Sequence, residues 1–266
     1  MERMYSSGFP RTRGGSAPPP SADGLATAGL PVREAPAWVG RRSIGAKRAR
    51  RILLLGASGR TGQLVLDYAL TQGLEVVALV RNPDRLRPRL GIEVRVGSPL
   101  DPSDIAHAIA GCDAVVSVLS HIYGLAAPWA PPLSPPLLLT HCIDNCVEAM
   151  SKNGIRRIVV MSAIGVGDSF RYAPAMLRWR IRHTNLRRAY ADQNFLEQVL
   201  RLSGMAWTSV RAARLSDRRR AGGLIVSIAN RPEPRTTISR DLAARFLIDC
   251  LSSRQYVGQT PSISEF

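Results

Sequence analysis

Lysine is nearly missing from this 266-residue chain. Only Lys47 and Lys152 occur, so 34 of the 36 basic side chains are arginine. A formal charge of +16 would first suggest a nucleic-acid surface, but codon bias in a GC-rich genome enriches arginine in the same way. No recognised nucleic-acid module accompanies the charge, and nucleic acid is not an expected partner. Long apolar runs are missing too. None approaches the roughly 18 residues of a membrane-spanning helix, so no membrane partner is expected. Four cysteines, Cys112, Cys142, Cys146 and Cys250, are too few to staple a chain of this size, and a cytoplasmic setting is expected. His141, Cys142 and Cys146 could suggest a metal site. Adjacent residues on a helix diverge by about 100°, however, and buried inert thiols are expected instead of a metal. Aromatics supply only 6% of the residues, yet 45% are hydrophobic, which is enough for a sizeable core.

Residues 1–50 differ from the rest. Gly, Pro, Ser and Ala dominate, Pro18, Pro19 and Pro20 run together, and no helical or strand period holds. Such a segment cannot bury enough apolar area to offset its ordering entropy, so a disordered basic tail is expected. It has no apolar run of the secretory kind. An organellar transit peptide or a mis-assigned start would share its composition. Through Arg51 this segment carries ten basic and three acidic residues, or +7.

From Arg51 the texture changes. Ile52–Leu55 is a continuous apolar run, as in a parallel strand covered on both faces. Helices are expected at Gln63–Gln72, from Asp101 or Ser103 to Gly111, at Pro136–Asn153 and at Ala189–Ser203. Strands are expected at Glu75–Val80, Ile92–Val96, Ala114–Leu119, Arg157–Ser162 and Trp207–Arg211. This alternation predicts an α/β fold with a doubly wound parallel sheet, a Rossmann fold. It would form a single domain over 51–266, with a small C-terminal part covering the substrate. There is no internal repeat, and nothing in the sequence specifies an oligomer.

Gly56-Ala57-Ser58-Gly59-Arg60-Thr61-Gly62 lies between the first strand and the first helix, the context a dinucleotide fingerprint requires. Gly56 permits the tight turn, Gly59 lets backbone approach a pyrophosphate, and Gly62 lets helix and strand pack closely. The helix N-terminus then offers N–H groups to the phosphates. An enzyme preferring NAD places an acid at the end of the second strand, about 20 residues on, for the ribose 2′-hydroxyl. Here that strand runs into Arg81, which suits a 2′-phosphate, and Arg60 can reach the same group. NADP(H) is the expected cofactor.

With these stretches the chain resembles the atypical short-chain dehydrogenase/reductase superfamily, in particular the NAD(P)H-binding group of NmrA-like proteins and biliverdin-IXβ (flavin) reductases. Besides Ile52–Gly62 and Val76–Arg81, the likeness rests on Val96-Gly97, Leu100-Asp101, Asp113–Leu119, Gly154–Ala163, Ser203–Arg211 and Ile238–Leu251. The resemblance implies that Gly56, Ser58, Gly59, Arg60, Thr61, Gly62 and Arg81 surround the adenosine and phosphates. It implies that Leu119 and Ser120 line the nicotinamide ribose, and that Ser162 stands near the nicotinamide. Three departures stand out. Gly97-Ser98 replaces the relatives' Gly-Asp, Arg211-Ala212 replaces Arg-Pro, and the Tyr-x-x-x-Lys pair is missing. Tyr172 is followed by Met176, Tyr190 by Asn194, and Gln193 occupies the place of the lysine that many atypical members keep.

Carbonyl reduction through a lysine-assisted tyrosinate is therefore not expected. Ser162 is the first candidate for a hydroxyl polarising the substrate, and its alternative is a serine satisfying backbone at a strand end. Tyr172 is the second catalytic candidate, while Tyr190 and His183 belong to the same arginine-rich stretch. His121 and Tyr123 follow the fourth strand, near the cofactor mouth. Tyr123–Pro136 is apolar and proline-rich, which suits a lid over an apolar substrate, a partner surface or a loop packed on its own domain. The expected function is an NADPH-dependent oxidoreductase acting on an apolar or planar small molecule such as a flavin, a quinone or a polyketide-like ring. The alternatives are a non-catalytic NADP(H)-binding regulator of the NmrA-like type and an isomerase or cyclase that retains NADP.

Overall fold

The structure, a computed structural model, describes residues 50–121, 133–218 and 222–266. The tail expected over 1–50 (Arg50 apart) and most of the Tyr123–Pro136 loop lie outside the described residues. The elements run in order as β1 (Arg51–Leu55), α1 (Arg60–Thr71), β2 (Glu75–Val80), β3 (Ile92–Val96), α2 (Pro102–Ile109), β4 (Ala114–Ser117) and α3 (Leu138–Lys152). Then come β5 (Arg157–Ala163), α4 (Ala175–His183), α5 (Leu186–Leu202), β6 (Ala206–Ala212), β7 (Arg214–Ser216), β8 (Leu224–Ser227), β9 (Thr237–Ser239), α6 (Arg240–Ser252) and β10 (Ser262–Glu265).

Eight strands form one sheet in the order β3-β2-β1-β4-β5-β6-β10-β8. Every pairing is parallel except the last, where β8 runs antiparallel along β10 at the edge. Successive side chains of a strand point to opposite faces, and here both faces are covered. Ile52 and Leu54 of β1 join a core with Val65, Leu66 and Ala69 of α1 and Ala243, Phe246 and Leu247 of α6. Leu53 and Leu55 join a second core with Ile105 of α2, Cys146 and Met150 of α3, and Leu196 and Leu200 of α5. Removing one such side chain from water contributes about 1.5–3 kcal/mol, which is why β1 reads as an unbroken apolar run.

Strand order reverses between β1 and β4, and at such a switch the connections diverge and leave a crevice at the carboxyl edge. Of the C-terminal region expected to cover a substrate, β6, β8 and β10 belong to the main sheet, while β7 and β9 pair as a separate two-stranded sheet.

Candidate cofactor and active site

The turn from Gly56 to Gly62 leaves β1 at its carboxyl end. Gly56 sits at φ +86°, and a Cβ there would meet the Val118 carbonyl at 3.0 Å, so the turn lies against the chain leaving β4. Gly62 is tighter, since its Cβ would stand 2.0 Å from the Gly56 carbonyl oxygen. Only glycine lets α1 begin this close to the turn. The Gly59 N–H donates to the Gly56 carbonyl at 3.0 Å. Gly59 is also the N-cap of α1, and no side chain caps that helix. The first-turn N–H groups of Arg60, Thr61 and Gly62 thus stay open to an anion. Ser58, Gly59 and Arg60 are exposed, and Thr61 is buried. A turn that a Cβ would block, leading into an uncapped helix start, fits a dinucleotide pyrophosphate.

β2 ends as expected, without an acid. Arg81 follows it, exposed and with no hydrogen bond or ion pair among the described residues. Arg60 is differently placed. Its guanidinium pairs with Asp217 at 3.0 Å, and Asp217 also holds Arg240 at 2.5 Å. Arg60 lines a cleft of about 540 Å³ together with Arg85, Arg87, Arg89, Arg240 and Asp217, and Arg81 is not part of that lining. At Gly97-Ser98 the Ser98 N–H donates to the Asp104 carboxylate at 2.8 Å, and a Cβ on Gly97 would lie 2.6 Å from that carboxyl group.

At the carboxyl ends of β5 and β6 the face packed on α5 turns from apolar to polar. Ser162 and Arg211 are register partners, and Ile158 and Trp207 lie deeper on the same face. The Ser162 hydroxyl donates to Glu197 Oε1 at 3.2 Å, and Ser209 donates to the same oxygen at 3.0 Å. Arg211, 2% exposed, donates from Nε to Oε1 at 3.0 Å and from Nη2 to Oε2 at 2.7 Å; Glu197 is 3% exposed. Its Nη1 reaches Asp168 at 2.6 Å. Burial opposes the Arg211 charge, yet Glu197 and Asp168 raise its pKa above the usual arginine value. The Ser162 hydroxyl thus lies within hydrogen-bond distance of a buried carboxylate. Tyr172 is 43% exposed beneath the Arg171 guanidinium, 4.6 Å from the ring centre. His183 is exposed and packs on Trp179, while the Tyr190 hydroxyl donates to the Ile164 carbonyl at 3.4 Å.

Beyond β4, Leu119 is half-buried, Ser120 exposed and His121 turned inward. His121 Nε2 lies 2.8 Å from Asp192 Oδ2 on α5. Asp192 also accepts the Leu139 N–H at 2.8 Å, the Thr140 N–H at 2.9 Å and the Thr140 hydroxyl at 2.6 Å. Sequence reasoning missed both Asp192 and Glu197. Their signal was an acid on the helical stripe that also carries Ala189, Leu196 and Leu200, all buried. On α3, Cys142 and Cys146 are buried while His141 is exposed; burial pushes the Cys142 thiol up to about 12.

A family model described as NAD(P)H-binding matches residues 56–254. The chain belongs to this family. Solved structures share the fold. A short-chain dehydrogenase/reductase from Veillonella parvula in complex with NADP is 18% identical, over 82% of this chain and 95% of its own, with a TM-score of 0.67. The oxidoreductase ylbE from Lactococcus lactis is 16% identical over 81% and 91%, with a TM-score of 0.66. The anaerobillin reductase ChuY from Escherichia coli O157:H7 is 20% identical over 81% and 97%, with a TM-score of 0.63. The matched residues of the NAD(P)H-binding family take in the glycine turn, Arg81, the Glu197 cluster and the His121–Asp192 pair. Among the described residues no helix is long and apolar enough to cross a membrane.

Proposed function

We propose that this NAD(P)H-binding protein is an NADPH-dependent oxidoreductase acting on an apolar or planar small molecule, such as a flavin, a quinone or a polyketide-like ring. One observation carries the choice of NADPH. The carboxyl end of β2 presents Arg81, exposed and without a partner among the described residues, where an NAD site would place an acid. The α1 N-terminus would receive the pyrophosphate, Arg81 the 2′-phosphate, and Leu119 and Ser120 the nicotinamide ribose. Arg60 joins Arg81 by exchanging the exposed Asp217 carboxylate for phosphate, since an exposed ion pair is worth about 0–1 kcal/mol. The β7–β9 pair, which carries Asp217 just beyond β7, would cover this side of the site. When bound, the cofactor supplies the hydride, and the protein supplies orientation and electrostatics. Four buried free thiols support a reducing, cytoplasmic setting. The apolar substrate class rests on the Tyr123–Pro136 composition, and a fold neighbour named as an anaerobillin reductase is consistent with it.

The test is Arg81→Asp in equilibrium binding. Losing a charge-assisted contact of about 1.5–3 kcal/mol should weaken NADPH roughly 10- to 100-fold and leave NADH within about twofold. Equal loss for both cofactors overturns the NADPH assignment. A second reading, an NADP(H)-binding regulator without turnover, is favoured by the Ser162 hydroxyl being committed to Glu197. Stopped-flow oxidation of NADPH with flavin and quinone acceptors separates the two readings.

A further inference from the structure

We propose that His121, oriented by Asp192, is the proton donor of this site, with Nδ1 as the donating atom and Asp192 as a positioning residue. The inference rests on the oxidoreductase reading above and supplies what that reading lacks, a group to replace the missing tyrosine and lysine.

The argument begins with hydrogen-bond accounting. The His121 side chain is 3% exposed and that of Asp192 1%. Asp192 receives the Leu139 N–H on Oδ2, and the Thr140 N–H and hydroxyl on Oδ1. Burial opposes its charge, but the bonds from His121, Thr140 and the two backbone N–H groups outweigh burial and hold its pKa below the usual carboxylate value. An ionised carboxylate only accepts, so the 2.8 Å contact fixes His121 Nε2 as the N–H. In the neutral ring Nδ1 then carries a lone pair, and in the charged ring it carries a proton. Nδ1 is buried with no hydrogen-bond partner among the described residues. A buried polar atom left unpaired calls for a reason, and a donor waiting for its acceptor is one.

Location gives the second line of argument. His121 leaves the carboxyl end of β4, and the backbone at Val118 and Leu119 packs against Gly56 of the glycine turn. The ring therefore belongs to the edge of the sheet where the strand order reverses. Its anchor lies on α5 beside Gln193, whose Oε1 is another buried atom without a partner among the described residues. Among the described residues Asp192 is the ionisable group in contact with the ring. Asp192 faces it from α5, and Asp192 raises the pKa of the Cys142 thiol on α3, already raised by burial, while Arg81 beyond β2 opposes that shift.

The step balances as follows. The acceptor takes a hydride from reduced nicotinamide on one atom. The electron pair released on its conjugated oxygen or nitrogen takes the Nδ1 proton, so the Nδ1–H bond breaks and an O–H or N–H bond forms. His121 is left neutral, bonded through Nε2–H to Asp192, and regains its proton from solvent.

The experiment uses the full chain with ¹⁵N-labelled histidine. Only four histidines occur, and His121→Gln assigns the signal. The expected result is a His121 ring whose Nε2 carries a proton, with an Nδ1 signal that shifts when NADP⁺ is added while those of His107, His141 and His183 stay in place. In Asp192→Asn that tautomer preference is lost. With flavin mononucleotide and a naphthoquinone as acceptors, His121→Gln should lower turnover about 10²- to 10⁴-fold, with NADP⁺ affinity within about twofold. The wild-type titration needs no variant to fold. An Nδ1 signal indifferent to NADP⁺, or a His121→Gln protein with wild-type turnover, overturns the donor role and leaves the oxidoreductase reading standing. A wild-type protein that oxidises no NADPH with either acceptor overturns that reading, and the donor role with it.

Discussion

Glu197 is the residue on which the polar end of the β5–β6 face depends. It takes three side chains at hydrogen-bond distance, and one of them, Arg211, has almost no access to water. Removing Glu197 leaves a buried guanidinium with only the half-exposed Asp168 to answer it. Breaking a buried pair from one side costs about 3–5 kcal/mol, whereas replacing both partners by apolar groups of similar volume is often neutral. Glu197→Leu should therefore lower unfolding stability by that amount in urea titration, and adding Arg211→Met should restore most of it. A structural role for the cluster also predicts that the double variant keeps its NADPH affinity. The site at this scale was only partly legible in the sequence. Ser162 was found as a serine at a strand end, but its partner lies 35 positions away on a helix. No local pattern says which of its two readings holds until α5 is packed on the sheet.

The glycine turn and α1 form one element, and its two inner glycines do separable work. Gly62 serves packing, since a methyl group there would stand 2.0 Å from the Gly56 oxygen and 2.8 Å from the Ala57 Cα, so backbone must move. Gly59 has an ordinary φ of −76°, is exposed, and would bring its Cβ no closer than 3.3 Å to any atom outside its neighbours. Gly62→Ala should cost about 1–3 kcal/mol through overpacking and also weaken NADPH. Gly59→Ala should leave the melting temperature within about 2 °C of wild type while weakening NADPH at least about tenfold. Calorimetry and cofactor titration on the two variants check the contrast. Equal melting temperatures for both variants would refute it. Elements of this kind were legible because their signals are local. Glycines at fixed spacing and a buried apolar run place β1, the turn and α1, and β2 and β3 also fall where the pattern puts them. β10 left no such signal. It reads Ser-Ile-Ser-Glu and is buried throughout, and some of its polar groups meet distant chain, as where the Ser239 N–H donates to Glu265 Oε2 and the Arg235 N–H to the Ser264 hydroxyl, both at 2.8 Å. α4 was hidden by its arginines. Ile181 is its one buried residue, so the apolar period that marks a helix is almost absent.

For the whole molecule the arginine excess resolves into paired and unpaired groups. Arg51, Arg60, Arg89, Arg95, Arg211, Arg240 and Arg245 each meet a carboxylate. Arg81, Arg85 and Arg87, on the chain that leaves β2, have none among the described residues. The excess of +16 therefore survives the pairing, and Arg81, Arg85 and Arg87 are the part of it nearest the proposed 2′-phosphate, while exposed arginines such as Arg171, Arg187 and Arg188 lie elsewhere in the chain. Such a molecule depends on its carboxylates staying ionised. Asp192 and Asp168 both have pKa values below the usual 3.8 despite burial, through hydrogen bonds from His121 and Thr140 and from Arg211 respectively. A carboxyl depressed in the folded state binds fewer protons there than in the unfolded chain. Its contribution is complete above the unfolded value of about 3.9 and is lost as pH falls through the lower folded value. The urea midpoint should accordingly hold steady from pH 6 to about pH 5 and then fall steeply toward pH 3. In Asp192→Asn the midpoint should be lower at pH 6 and the acid slope shallower, because one of the protons taken up on unfolding is gone. A slope unchanged by that substitution would mean that Asp192 titrates alike in both states, and that its four donors do not hold it ionised.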